Sequence, residues 1–197
     1  MAPKHSHTSC HMRLVDDAPS RARARGTRAR SGYAEGGAVA CEPAVFTTWN
    51  DSEVRRMPVR KVDDERSAAM AIAHVVGTDL SVQEHMVGLG LDRQMNIITV
   101  AVGSSHQKSI CAFIAHDLIG SIYSKHPTKV RAMIIGHNHP SGDPHASEDD
   151  LRSMKKVLCE FIGAGILDHV IVSPKDEGGI KSFSMRDKYA MFDRSCR

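Results

Sequence analysis

Two histidines one residue apart, with an aspartate eleven residues after the second, are the residues in this chain best suited to chemistry. They are His137, His139 and Asp150. Imidazole nitrogens and carboxylate oxygens are zinc ligands, and three protein ligands leave a fourth tetrahedral position for water. Structural zinc sites use four protein ligands, so this set predicts a catalytic site that holds one zinc ion.

The elements around these residues are predicted to bring the three ligands together. The apolar run 132–136 is typical of a buried strand, and side chains alternate along a strand, so His137 and His139 should point the same way. Ser147 precedes an apolar series with helical spacing and is a suitable N-cap, with Asp150 at the third helical position. Taken alone, Ser147 and Asp150 also fit a simple helix cap that binds no metal.

Hydrophobic periodicity places these elements within an α/β fold. Helices are predicted over 64–76, 109–124 and 151–162, and strands over 84–91, 97–102, 132–136, 167–173 and 181–183. The strands at 84–91 and 97–102 should form a hairpin, and the later strands alternate with helices. This order predicts a mixed β-sheet flanked by helices.

Composition divides the 197-residue chain into a basic tail and one folded domain. Residues 1–34 carry seven basic and two acidic side chains, whereas the rest of the chain is slightly acidic. We expect residues 1–56 to be a mostly disordered tail and residues 57–197 to form the domain. Three interpretations of the tail stay open: a solvated extension, an artefact of an upstream start codon with Met57 as the alternative start, or a weak contact for nucleic acid phosphates.

The cysteines and the hydropathy of the chain bear on its compartment. Five scattered cysteines without a Cys-x-x-Cys pair indicate reduced thiols in a cytoplasmic protein. No apolar run approaches the roughly 18 residues that a membrane helix needs, and no secretory signal is visible at the N-terminus.

A wider pattern resembles a known family. Glu84 lies upstream of His137-x-His139, seven residues follow, and then come Ser147, two residues and Asp150. Together with the string Leu-Asp-His-Val-Ile-Val at 167–172, this arrangement resembles the RadC family, the bacterial branch of the JAMM (MPN+, JAB domain) metalloprotease-like proteins. The resemblance covers roughly residues 58–185.

The resemblance implies a fold, a reaction and a role for each residue. The implied fold is the cytidine-deaminase-like JAMM/MPN fold. The implied activity is that of a zinc-dependent hydrolase, a metallopeptidase or isopeptidase that cleaves an amide bond in a peptide or protein. His137, His139 and Asp150 would bind zinc, Glu84 would be the general acid and base, and Ser147 would stabilise the oxyanion.

The chain departs from the family pattern in two places. Many members carry a helix-hairpin-helix-like N-terminal region, for which we see no counterpart. Members usually have Pro-Arg-Glu at the start of the helix before the histidine strand, where this chain has Ala115, His116 and Asp117. Two other functions stay open: a DNA-repair or mobile-element accessory protein with a vestigial or regulatory metal site, and an interaction module with structural zinc.

Other short sequence motifs give weaker support to other enzyme classes. The letters His-Asn-His at 137–139 also name a nuclease motif, but those nucleases disperse the residues over a longer ββα unit. A zinc nucleobase deaminase needs His-x-Glu and Pro-Cys-x-x-Cys, which this chain lacks. We expect Asp168 and His169 to make structural hydrogen bonds rather than a second metal site, and His145 to be an exposed loop residue.

Overall fold

The computed structural model describes residues 45–104, 112–189 and 192, which include a six-stranded mixed sheet. The strands are β1 Val45–Thr48, β2 His85–Leu91, β3 Ile97–Ser104, β4 Ala132–Asn138, β5 Ile166–Pro174 and β6 Ile180–Ser184. Their order across the sheet is β1-β3-β2-β4-β5-β6, and β4 pairs with β5 in parallel while the other neighbours are antiparallel. The strand that carries the histidine pair is therefore central in the sheet.

Helices cover both faces of this sheet. They are α1 Asp51–Arg55, α2 Glu65–Val76, a 3-10 helix at Gly77–Ser81, α3 Ala112–Lys125, α4 Glu148–Glu160 and α5 Met185–Lys188. One core cluster packs α2 against the sheet, and the other packs α3 and α4 against the opposite face. This arrangement confirms the predicted α/β fold with a mixed sheet flanked by helices.

Alternation along β4 decides which face of the sheet receives the histidines. Ile134 belongs to the core on the α2 side, whereas Met133 and Ile135 belong to the core on the side of α3 and α4. His137 follows Ile135 by two residues and therefore faces α4. At Gly136, an added Cβ would lie 2.6 Å from the backbone carbonyl oxygen of Val170 and would also clash with Ile72 of α2, so only glycine fits here beside the site.

The domain begins before the boundary at residue 57 that composition predicts. Val45–Thr48 forms β1 and pairs with β3, and Asp51–Arg55 forms α1 behind a capping box at Asn50. Both elements lie inside the segment 1–56 that we expect to be mostly disordered. A four-residue strand and a five-residue helix are too short to show a clear hydrophobic period. The Arg-rich residues 21–30 of the predicted tail lie outside the described residues.

Two findings bear on the cysteine and membrane predictions. Cys159 is disulfide-bonded, so the prediction that all cysteines are reduced thiols is wrong at this residue. Spacing along the chain does not reveal which cysteines the fold brings together.

Among the helices that the structure describes, none is both long and apolar enough to cross a membrane.

Candidate metal centre

The three predicted ligands converge at the end of β4. His137 and His139 come from the strand end, and Asp150 comes from the first turn of α4, as predicted. Their candidate ligand atoms all lie within 4.8 Å of one another. His137 Nε2 is 3.3 Å from Asp150 Oδ1, and His139 Nε2 is 3.4 Å from Asp150 Oδ2. The three groups are therefore close enough to share one centre.

These separations suit a small tetrahedral ion. At metal–ligand distances of about 2.0–2.2 Å, neighbouring ligands of a tetrahedral zinc ion lie roughly 3.3–3.6 Å apart. Both histidine–aspartate distances match that separation. The two Nε2 atoms are 2.8 Å apart, about half an ångström closer than the tetrahedral spacing. A small outward movement of one imidazole ring would complete the fit.

The hydrogen bond of His139 fixes which of its nitrogens faces the centre. Its Nδ1 lies 2.9 Å from the backbone carbonyl oxygen of Asp143, which can only accept. Nδ1 therefore carries the proton, and Nε2 presents a lone pair toward Asp150. Burial lowers the pKa of His139, but Asp150, the Asp143 carbonyl and the charge of Glu84 together raise it above its usual value. A cation at the centre, either a proton or a metal ion, is thus favoured.

His137 is oriented by a second buried histidine. Its side chain is 1% exposed, and its Nδ1 lies 2.6 Å from His169 Nε2. His169 Nδ1 lies 3.1 Å from Met154 Sδ, which is a weak acceptor without a proton to donate. When both rings are neutral, His169 Nδ1–H therefore donates to Met154 Sδ, and His137 Nδ1–H donates to His169 Nε2. His137 Nε2 is left with its lone pair toward the centre.

Burial keeps both of these imidazoles neutral. It lowers the pKa of His137 by more than the hydrogen bond and the charge of Asp150 raise it. Burial, together with the neighbouring His137, holds the pKa of His169 well below its usual value. A neutral imidazole is the form that binds a metal ion, and a metal-bound histidine ordinarily donates its other ring N–H to an acceptor. His169 occupies the position of that acceptor.

Ser147 holds Asp150 in place. The Ser147 hydroxyl donates to Asp150 Oδ2 at 2.6 Å, the Ser147 amide donates to the same oxygen at 2.8 Å, and Ser147 Oγ accepts from the Asp150 amide at 3.1 Å. This is the predicted capping box. Burial would raise the pKa of Asp150, but its interactions with His137, His139 and the Ser147 hydroxyl hold the pKa far below the usual value of 3.8. The predicted oxyanion role of Ser147 stays a prediction, since its hydroxyl bonds to Asp150 here.

Glu84 lies at the same end of the sheet, directly before β2. The adjacent strand positions support this placement, since Met86 on β2 is paired with His137 on β4. Burial raises the pKa of Glu84. The positive charge of a protonated His139 lowers this pKa, and the negative charge of Asp150 raises it. Glu84 is therefore a half-buried carboxylate within electrostatic range of two candidate ligands.

The raised pKa of Glu84 predicts a pH-dependent stability difference in the metal-free protein. The native carboxyl group keeps its proton to higher pH than in the unfolded chain, where its pKa is near 4.5. Its contribution to stability is thus complete below that value and is lost as the pH rises through the native pKa. We expect Glu84→Gln to raise the melting temperature at pH 7, with the gain disappearing at pH 4.

This difference is measured by thermal unfolding of chelator-treated protein between pH 4 and pH 7.5. Glu148→Gln is the matched control, because Glu148 is exposed in the first turn of α4. A negative charge there interacts favourably with the helix dipole, so its removal should not raise the melting temperature. A Glu84→Gln gain that is equal at pH 4 and pH 7 would show that the ionised carboxylate carries no burial cost.

Two further sequence predictions, for Asp168 and His145, agree with the structure around the ligands. Asp168 accepts hydrogen bonds from the His169 amide, from Ser184 Oγ and from the Arg186 amide, which confirms a structural role for its carboxylate. The His145 side chain is 71% exposed and bonds to Asp143, as expected for a loop residue. The contact of Met154 with His169 could not be foreseen, because a methionine at a helical core spacing gives no sign of a polar partner.

Comparison with known proteins identifies the family. A family model described as the RadC-like JAB domain matches residues 63–189. A UPF0758 protein of Coprothermobacter proteolyticus is 38% identical over 95 residues, which cover 46% of this chain and 38% of that protein. A UPF0758 protein of Streptococcus uberis is 32% identical over 120 residues, which cover 56% of this chain and 46% of that protein.

A third relative, a UPF0758 protein of Streptococcus agalactiae, is 33% identical over 116 residues, covering 54% of this chain and 44% of that protein. The chain thus spans less than half the length of these curated relatives. The family model, by contrast, covers well over half of the chain and includes Glu84 and the three converging ligands. The chain therefore belongs to the RadC-like JAB domain family.

Proposed function

We propose that this domain is a zinc-dependent hydrolase of the JAMM type that cleaves an amide bond in a peptide or protein. The observation that carries the proposal is the orientation of His137 and His139. Each directs an Nδ1–H at a fixed acceptor and leaves an Nε2 lone pair beside the Asp150 carboxylate. Three electron-pair donors that face one another in this way call for a cation between them.

The donor set fits zinc, and the ligands would be His137 Nε2, His139 Nε2 and one Asp150 oxygen. When bound in such a site, zinc would lower the pKa of a coordinated water to about 7 and polarise a carbonyl group. The three protein ligands leave a coordination position free for that chemistry, as catalytic zinc sites do.

Glu84 is the residue that moves the proton in this proposal. Its carboxylate accepts a proton from the attacking water and delivers it to the nitrogen of the leaving amine. Partial burial suits this role, because a carboxylate whose pKa is raised holds a proton more readily near neutral pH. Ser147 keeps Asp150 in position through its hydroxyl and amide.

The test is metal removal and return with the full chain. We expect elemental analysis to find one zinc ion per chain, and a quenched-fluorescence peptide library to contain sequences that the protein cleaves. Dialysis against a chelator should abolish the cleavage, and one equivalent of zinc should restore it. Cleavage that survives complete loss of metal would contradict the proposal, as would protein that binds zinc stoichiometrically but cleaves no member of the library or of a denatured protein substrate such as casein.

A further inference from the structure

The residue between the two candidate histidine ligands points away from them. Asn138 is the last residue of β4 and is fully buried, with 0% of its surface exposed. His137 and His139 face the side of α4, and strand alternation turns Asn138 to the side of α2. There it meets the segment that connects the 3-10 helix after α2 to the start of β2.

The Asn138 amide holds the backbone on both sides of Glu84. Its Nδ2 donates to the Gln83 carbonyl at 2.7 Å, and its Oδ1 accepts from the His85 amide at 2.7 Å. These are the backbone groups immediately before and after Glu84. The second Nδ2 proton is donated to the Leu80 carbonyl at 2.9 Å. One side chain thus makes three hydrogen bonds to the six-residue segment 80–85, which contains Glu84.

Two other backbone bonds at this turn are local. The amides of Val82 and Gln83 both donate to the Asp79 carbonyl, which closes the turn on itself. Those bonds do not fix where the turn stands relative to β4. The Asn138 bonds do, because they join residues 53 to 58 positions apart in the chain. After Glu84, the pairing of Met86 with His137 ties β2 to β4; before it, the turn is tied to β4 through the Asn138 side chain.

We propose that Asn138 is a positioning residue that fixes the Glu84 carboxylate against the metal centre; as a catalytic statement, this rests on the proposed function. Only a carboxamide offers the two donors and the acceptor that this turn requires. An ionised aspartate would keep the bond to the His85 amide but would face two carbonyl oxygens without a donor. A leucine of similar size would leave all three backbone groups buried without these bonds.

The first test measures backbone hydrogen exchange and zinc affinity, so it does not depend on enzymatic activity. We compare Asn138→Ala and the near-isosteric Asn138→Asp with the wild type, all loaded with zinc. Amide hydrogen exchange of the segment 80–85 should quicken at least tenfold, as expected when a buried hydrogen bond is lost. Zinc affinity, measured by competition with a chromophoric chelator, should stay within about threefold, because the ligand nitrogens are on the opposite face of β4.

A matched control is available at another buried polar residue. Thr99 on β3 is 0% exposed, and its Oγ1 has no hydrogen-bond partner among the described residues. Thr99→Val should leave exchange at 80–85 and zinc affinity unchanged. Unchanged exchange at 80–85 in both Asn138 variants would overturn the proposal. So would zinc affinity that falls in parallel with exchange, since that result indicates general damage to the strand end rather than loss of positioning.

The second test uses any library peptide that the wild-type protein cleaves. Asn138→Ala should lower kcat by roughly 10- to 100-fold with little change in KM, since a misplaced proton carrier affects the chemical step. Adding Glu84→Gln to Asn138→Ala should then cost much less than Glu84→Gln alone, because the two residues act as one unit. Fully additive losses would overturn the positioning role. If no peptide is cleaved, the exchange and zinc results still decide whether Asn138 holds the turn, so the two proposals fail separately.

Discussion

His139→Ala should leave the protein unable to hold stoichiometric zinc. The substitution removes one of three ligand atoms and leaves only His137 and Asp150, which is too few for a specific zinc site. Losing even a residue that orients a ligand typically costs about 10- to 100-fold in metal affinity, so losing the ligand itself should cost more than about 100-fold. Elemental analysis after gel filtration, and chelator competition at pH 7.5, measure this loss.

Two companion variants make the result specific. His145→Ala removes an exposed imidazole from the same loop and should keep its zinc, because His145 bonds to Asp143 rather than to the three ligands. His169→Ala should fall between the two variants, with affinity lowered about 10- to 100-fold, because His137 loses the acceptor of its Nδ1–H. Zinc that remains stoichiometric in His139→Ala would show that the ion is held elsewhere in the chain.

Much of the site could be predicted from sequence because its geometry is local. Two residues at a strand end and one in the next helical turn are placed by the periods of strand and helix alone. The Ser147 capping box is likewise a short-range pattern, and the structure contains it as predicted. The apolar periods also gave the principal strands and helices of the domain, with shifts of a few residues at their ends.

The partners of the supporting residues could not be predicted, because these contacts are distant along the chain. His169 meets His137 across 32 residues, and Asn138 meets the turn before β2 across more than 50. The structural role expected for His169 is confirmed, but nothing in the local sequence names His137 as its partner or distinguishes Asn138 from other buried polar residues. The same limit applies to β1, which is ordered by pairing with β3 rather than by a hydrophobic pattern of its own.

Glu84→Gln should separate metal binding from catalysis. Glutamine has nearly the same shape as glutamate, but its amide cannot accept and then deliver a proton, which is the role proposed for this residue. General acid–base catalysis contributes about 10²- to 10⁴-fold, so we expect kcat to fall by that factor on a peptide that the wild type cleaves. Zinc should stay bound at one ion per chain, because Glu84 is not among the three converging ligands.

The comparison with Glu148→Gln excludes a general effect of removing a carboxylate near the site. Glu148 is exposed at the start of α4, two residues before Asp150, so its substitution changes the local charge by the same amount. We expect this control to retain most of its activity and all of its zinc. Loss of zinc in Glu84→Gln would instead assign Glu84 to the coordination sphere. Full activity with bound zinc would contradict the role proposed for Glu84, because an amide cannot carry the proton.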